Sequence, residues 1–277
     1  MSTPEILPVP AGRRQTLHFL RFAEAAAPVY LDTEVDATAL LAHRQLGRKY
    51  SVVSYAMLIL GRVLPGFPEA NAAFAGSLRP RTARHAAVDV KLTLDKQVDG
   101  VRSVLSVVLP DVDGCTLDHL QNAVERLRDT PVEDIRELDG VRKLQKLPIP
   151  LGRLAFRLAN GLSGRHRRMG TVALTSLGHA PVHRFFSHGG TTVTIGLGRI
   201  TPTPVVRDGE VVVRPLLPLS LTFDHRVIDG AMAADLLAAL KTALEDCDVT
   251  GAADRPAGHL DGVGAVEHVA DREPQPA

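Results

Sequence analysis

The stretch Leu219-Ser220-Leu221-Thr222-Phe223-Asp224-His225-Arg226-Val227-Ile228-Asp229-Gly230 decides how this chain is read. From Leu219 to Asp224 apolar and polar residues alternate with period two, the pattern of a strand that lays one face on a core. The strand delivers a histidine at its end. Asp229 follows four residues later, and Gly230 permits a sharp turn into a helix expected from Ala231 to Asp246. An imidazole titrates near neutral pH, so a histidine on so rigid a mount can take a proton from a thiol or hydroxyl and later return it. Taken alone, such a histidine fits a structural role as well.

Working outward, Arg14 to Ala27 reads as a first helix that Pro28 ends, and residues 29–36 as an alternating strand. Asp36 and Thr38 are N-cap types for a helix starting near Ala39. Ser51 to Val63 is dense enough in apolar residues for a buried helix, stopped by Pro65-Gly66-Phe67-Pro68. Residues 86–94 and 101–109 form a hairpin-like pair separated by Asp95 to Gly100, and Thr116 to Arg128 has helical spacing. Residues 150–168 are helical in pattern, with the basic run Arg165-His166-Arg167-Arg168 read as a solvated helix end. Strands are expected at 171–177, 191–200 and 205–222. The mixture lacks a βαβ rhythm, which argues α+β. Residues 1–12 read as an extended arm, 13–249 as the core domain and 250–277 as a loose tail.

Composition narrows the function. The chain has 277 residues, 45% hydrophobic and 23% charged, enough for a real core. Its 32 Lys+Arg against 31 Asp+Glu leave a formal charge of +1, and it has no Trp, so neither a basic field nor stacking platforms suggest a nucleic-acid partner. Cys115 and Cys247 lack metal or redox spacing. No apolar run reaches the ~18 residues of a membrane span, and the N-terminus lacks a signal pattern, so a cytoplasmic protein without a membrane partner is expected.

Three further blocks stand in order with His225-Arg226-Val227-Ile228-Asp229-Gly230. They are Phe67-Pro68-Glu69-Ala70-Asn71, then Gly170-Thr171-Val172-Ala173-Leu174-Thr175-Ser176-Leu177-Gly178, then Val193 to Pro204, VTIGLGRITPTP. Together they resemble the coenzyme A-dependent acyltransferases, the family of chloramphenicol acetyltransferase and of the dihydrolipoyl acyltransferase catalytic domains, whose signature is His-x-x-x-Asp-Gly. The similarity is close over about residues 170–245, looser over 13–130 and absent in the tail.

The resemblance implies a two-layer α+β sandwich of the chloramphenicol acetyltransferase-like type, a mixed sheet with helices on one face. It implies a homotrimer with each active site shared by neighbouring subunits, and acetyl-CoA as co-substrate. His225 would be the general base. Thr175 stands where the family has a serine that donates to the oxyanion of the tetrahedral intermediate; Ser176, on the other face of the strand, is the competing candidate. Asp229 would orient the turn through an ion pair with Arg14 or Arg13. Nothing assigns cofactor-binding or metal residues. Asp95-Lys96 echoes a lipoyl-lysine dipeptide but falls inside the catalytic register, so no bound lipoyl group is expected. The block 91–103, KLTLDKQVDGVRS, departs from the dehydrogenase-complex pattern, in which a Gly-rich segment precedes the next strand. With no lipoyl domain ahead of the core, the expected acceptor is the hydroxyl of a small molecule, and the resemblance to free-standing relatives of natural-product pathways implies tetronate-type alcohols of specialised metabolism first. A core taking acyl groups from lipoyl domains in trans and an inactive trimeric scaffold stay open.

Overall fold

The alternation that ends at His225 becomes the backbone of a seven-stranded sheet. The computed structural model describes residues 3–249 apart from 8, 11, 12, 77, 99, 100 and 248. Its strands are β1 (Pro28–Asp36), β2 (Ala72–Ala75), β3 (Arg81–Arg84), β4 (Val90–Val98), β5 (Val101–Leu109), β6 (Val172–Ser176), β7 (Val193–Leu197), β8 (Thr201–Arg207) and β9 (Glu210–Asp224). Its α-helices are α1 (Arg14–Ala23), α2 (Thr38–His43), α3 (Val52–Val63), α4 (Leu117–Asp129), α5 (Asp139–Gln145), α6 (Ile149–Ala159), α7 (His166–Met169) and α8 (Gly230–Asp246). The sheet runs β1-β9-β7-β6-β4-β5, with β8 also paired to β9, while β2 and β3 form a separate hairpin. β6 is parallel to both β4 and β7, and the other pairs are antiparallel.

The two faces of this sheet differ in chemistry because the side-chain period is two. On one face Leu217, Leu219, Leu221 and Phe223 of β9 join Val193, Ile195 and Leu197 of β7 and Leu174 of β6, all buried. Leu58 and Leu60 of α3, Leu120 of α4 and Leu236 and Leu240 of α8 close over them as the second layer. This is the expected α+β sandwich around a mixed sheet. The opposite face carries Lys91 and Thr93 of β4, Thr175 of β6, Thr194 of β7 and Ser220, Thr222 and Asp224 of β9. Helices α1, α5 and α6 gather over its β4–β5 side, so helices cover both faces of the sheet where one face was expected.

Local chemistry explains where the elements start and stop. Ser51 caps α3 by accepting from the Ser54 N–H at 3.1 Å, and Thr116 caps α4 by accepting from His119 N–H at 3.2 Å. Asp36 acts one step before a cap: its carboxylate accepts from the Thr38 N–H at 3.0 Å, and Ala37 holds the N-cap position of α2. The first helix ends at Ala23, short of Ala27, because residues 24–27 turn to enter β1. The expected strand 86–94 lies at 90–98 instead. Asp95 is in the ladder opposite Val104, and its carboxylate takes the Arg102 guanidinium across the strands at 2.9 Å, so polar residues read as a linker are paired strand. The stretch 205–222 is two strands, folded back at Asp208-Gly209, whose φ values of +52° and +82° make the tight hairpin turn that an Asp-Gly pair favours. The helix read over 150–168 stops at Ala159 and resumes as a 3-10 turn (Leu162–Gly164) and α7. Residues 3–7, 9 and 10 of the expected arm carry no helix or strand; the expected tail lies outside the described residues.

Gly61, in the middle of α3, gives a sign test of this packing. An alanine in a helix interior is normally favoured over glycine by about 1 kcal/mol. A Cβ at Gly61 would lie 2.7 Å from the Val112 carbonyl oxygen and 2.9 Å from the Asp113 nitrogen, backbone that cannot swing aside. Gly61→Ala is therefore expected to lower the urea midpoint of unfolding; a raised midpoint would mean that α3 does not pack this closely on the turn after β5.

Candidate active site

His225 sits where β9 ends. Its backbone N–H donates to the Ala27 carbonyl at 2.8 Å, and its ring leans on Phe223 with centroids 5.6 Å apart. The imidazole is exposed and makes no hydrogen bond among the described residues. What holds the turn is its neighbour. Asp224 is buried and accepts from the Arg226 side chain at 2.9 and 2.5 Å, from the Arg226 N–H at 3.2 Å and from the Ala27 N–H at 3.3 Å. Burial alone would raise the Asp224 pKa, but these donors outweigh it and hold the carboxylate below its usual value. The Arg226 guanidinium in turn lies 4.7 Å from the Phe74 ring centroid.

Asp229 has a different partner from the one expected. Its carboxylate accepts from the Met232 N–H at 2.9 Å and is the N-cap of α8. Among the described residues it forms no ion pair with Arg14 or Arg13; Arg14 reaches the Gln145 carbonyl at 3.4 Å. A cap of this kind fixes the direction in which α8 leaves the histidine turn, so Asp229 orients the site through the backbone.

Thr175 is half-buried on the polar face of β6, and its hydroxyl is 2.8 Å from that of Thr93 on β4. Ser176, one residue on, points to the opposite face, with its Oγ 3.4 Å from the Gly178 nitrogen. The register separates Thr175 from His225 within one chain. Thr175 lies opposite Gly196, Gly196 lies opposite Ser220, and His225 is five residues beyond Ser220. That is about 17 Å along the strand and about 10 Å across it. One copy of the chain does not bring the two groups to a common atom.

Sequence reading did not single out Thr93 or Lys91, although the alternation of Lys91-Leu92-Thr93-Leu94 assigns both to one face. Lys91 is buried; its Nζ donates to the Gly189 carbonyl at 2.5 Å and stands 4.6 Å from the Phe19 ring centroid. No carboxylate pairs with it among the described residues, and burial pushes its pKa down to about 8. Among the described residues no group of His, Cys, Asp and Glu could hold a metal ion, and no helix is long and apolar enough to cross a membrane.

The lysine makes a pH prediction with a definite sign. Its folded pKa of about 8 lies below the ordinary 10.5, so the unfolded chain holds the proton more tightly. Stability should rise as pH goes from about 8 to 10.5 and lack this contribution below that window. Lys91→Met should remove the rise; an unchanged slope in urea titrations of the variant would place the alkaline dependence elsewhere.

The model of the family "2-oxoacid dehydrogenases acyltransferase (catalytic domain)" matches residues 159–251. The dihydrolipoyllysine-residue acetyltransferase component of the Bacillus subtilis (strain 168) pyruvate dehydrogenase complex is 28% identical over 267 residues, covering 88% of this chain and 53% of the relative. The corresponding component of the acetoin cleaving system of the same strain is 37% identical over 131 residues, 46% of this chain and 33% of the relative. The chain thus spans about half the length, or less, of these curated relatives. A solved structure of the Azotobacter vinelandii dihydrolipoamide acetyltransferase, from a study of a serine, a histidine and an asparagine in its catalytic mechanism, matches with a TM-score of 0.65 at 24% identity, over 88% of this chain and 93% of that one. Over residues 159–251 the sequence matches the model of the 2-oxoacid dehydrogenase acyltransferase catalytic domain, and over 88% of the chain the fold is that of the solved dihydrolipoamide acetyltransferase.

Proposed function

We propose that the chain is an acyltransferase that uses acetyl-CoA, its active site built from His225 of one copy and Thr175 of another. The observation that carries this reading is the arrangement at the two ends of the sheet. An unbonded imidazole stands on a clamped strand end, and a hydroxyl lies on a polar face too far away in the same chain to serve it. A homotrimer, as the family resemblance implies, would bring the two together. The β8–β9 hairpin supports assembly: Val206, Val211 and Val213 are 70%, 73% and 67% exposed, more apolar surface than a hairpin tip left in water favours.

The chemistry follows from the two groups. His225 takes the proton of the acceptor's O–H or S–H as that atom attacks the thioester carbonyl carbon. The carbonyl oxygen becomes an oxyanion, to which the Thr175 hydroxyl donates while the Thr93 hydroxyl donates to the Thr175 oxygen and holds it in place. Collapse breaks the C–S bond, and the imidazolium returns the proton to the departing coenzyme A thiolate. Acetyl ester or thioester and free coenzyme A result.

Two acceptors fit. A hydroxyl of a small molecule rests on the block 91–103, which supplies Lys91 and Thr93 and departs from the dehydrogenase-complex pattern, and tetronate-type alcohols come first from the resemblance to free-standing relatives of natural-product pathways. The dihydrolipoyl thiol is favoured by the relatives, which are named as dihydrolipoyllysine-residue acetyltransferases. Incubation with acetyl-CoA and, separately, dihydrolipoamide and a panel of primary alcohols distinguishes them by mass spectrometry. Acetyl gain on an alcohol supports the first reading and gain on dihydrolipoamide alone the second; no transfer to either would contradict both.

Single substitutions assign the roles. His225→Ala should lower turnover by roughly 10²–10⁴-fold with the fold intact. Thr175→Ala should cost on the order of 10²-fold in kcat with little change in the KM for acetyl-CoA, because an oxyanion donor acts mainly in the transition state. If Ser176→Ala is the more damaging of the two, the donor is on the other face of β6.

A further inference from the structure

A cleft of about 920 Å³ opens between α1, α6, the β2 strand and the end of β9. Its walls are unusually rich in guanidinium groups: Arg21, Arg153, Arg157, Arg165 and Arg226 all line it. The carboxylates nearby do not balance them. Asp224 is already held by Arg226, and Glu24 is taken by Arg21. Arg153, Arg157 and Arg165 have no carboxylate partner among the described residues. Arg165, read from sequence as part of a solvated helix end, instead turns inward and donates to the Phe74 and Asn160 carbonyls at 2.6 and 3.2 Å.

Three polar side chains on the wall carry buried unpartnered atoms, His18, Asn160 and, through its Nδ1, His188. His18 is 2% exposed, yet neither ring nitrogen has a hydrogen-bond partner, and Gly152 of α6 leaves the space for its ring, since a Cβ there would lie 2.6 Å from Nε2. Asn160 is 5% exposed, and its Oδ1 is likewise unpartnered. Buried polar groups are usually paired, and although others such as Asn71 Oδ1 and His85 Nε2 are also unpartnered elsewhere among the described residues, orphans gathered on one cavity wall are groups that a ligand can complete. Burial, and then Arg153, lower the His18 pKa, so at neutral pH its ring is uncharged and offers one donor and one acceptor. Phe22 and Phe74 add apolar wall, each with an arginine over its face, Arg165 at 5.1 Å and Arg226 at 4.7 Å from the ring centroids.

We infer that this cleft binds a small organic anion, a phosphoester or carboxylate on a flat apolar body, with Arg153, Arg157 and Arg165 on the charge and His18 and Asn160 hydrogen-bonding its polar substituents. Guanidinium forks match the paired oxygens of both anions, and the aromatic wall suits the body. His225 does not line the cleft, so the inference does not depend on the acyl-transfer reading. Coenzyme A carries phosphates and a free organic acid carries a carboxylate; the cleft chemistry is common to both.

Calorimetric titration of the full chain with phenyl phosphate tests this, with benzyl alcohol as the uncharged control. Saturable binding of phenyl phosphate, weakened by added salt and absent for benzyl alcohol, is expected. Arg153 and Arg157 are exposed and tie no backbone, so R153Q/R157Q should unfold at the same temperature as the parent while weakening phenyl phosphate roughly tenfold. Hydrogen exchange on ligand addition should slow in 14–23 and 149–159. Competition by coenzyme A would identify its phosphates as the occupant, and lack of competition a separate organic acid. No saturable binding at millimolar phenyl phosphate, or equal affinity in R153Q/R157Q, would overturn the inference.

Discussion

Strand β9 is the constraint on which the rest of the molecule depends. Its fifteen residues pair with β1 on one side and, in succession, with β8 and β7 on the other, so its register cannot slip without breaking three ladders. Alternation then sends Leu217, Leu219, Leu221 and Phe223 into the core and Ser220, Thr222 and Asp224 to the opposite face. Leucine and phenylalanine at those positions make a slip costly, because a shift of one residue would exchange the two sets. At the strand's end, Asp224 closes the turn on Arg226 and on the Ala27 N–H, and His225 is left outside that clamp with its imidazole in water. The histidine is positioned by its neighbours' bonds and needs none of its own.

The same register has a functional consequence. It fixes the Thr175 hydroxyl and the His225 imidazole at opposite ends of the sheet, and it fills the face between them with hydroxyls, a buried lysine and a carboxylate. Such a face is expensive to bury unless each group is satisfied. Most are: Thr93 meets Thr175, Thr194 accepts from the Gly189 N–H at 2.8 Å, and Lys91 reaches the Gly189 carbonyl. Around α1 and α6 satisfaction stops, at His18 and Asn160, and positive charge accumulates without carboxylates. Stability and ligand binding thus divide the polar interior between them, the threonine-rich centre serving the first and the arginine-lined cleft the second.

Much of this was legible in the sequence, for physical reasons that can be named. The β9 alternation, the helices beginning at Ser51 and Thr116 and the β4–β5 pairing are local patterns, and local patterns survive folding when tertiary contacts agree with them. The hairpin at Asp208-Gly209 was overlooked although its two residues are the standard signal for such a turn; the long apolar run around it read as one strand. Asp95 looked like linker because charge usually marks a loop, yet across an edge pair it and Arg102 of the expected strand satisfy each other. The partner of Asp229 was misjudged for another reason: a carboxylate just before a helix has a backbone donor three residues away, and the family's ion pair needs a distant arginine whose position no local pattern fixes. Lys91, Thr93 and the Arg165 cleft depend on segments far apart in the chain, so only the assembled sheet reveals them.

The central claim is that one active site requires two copies of the chain. The direct measurement mixes His225→Ala and Thr175→Ala proteins, each purified separately, unfolded together and refolded, and assays acetyl transfer from acetyl-CoA to the acceptor the parent uses. Hybrid assemblies would pair an intact Thr175 from the first variant with an intact His225 from the second, and the account predicts activity well above that of either variant refolded alone. If the hybrids form but remain as inactive as their parents, the two residues do not serve a shared site.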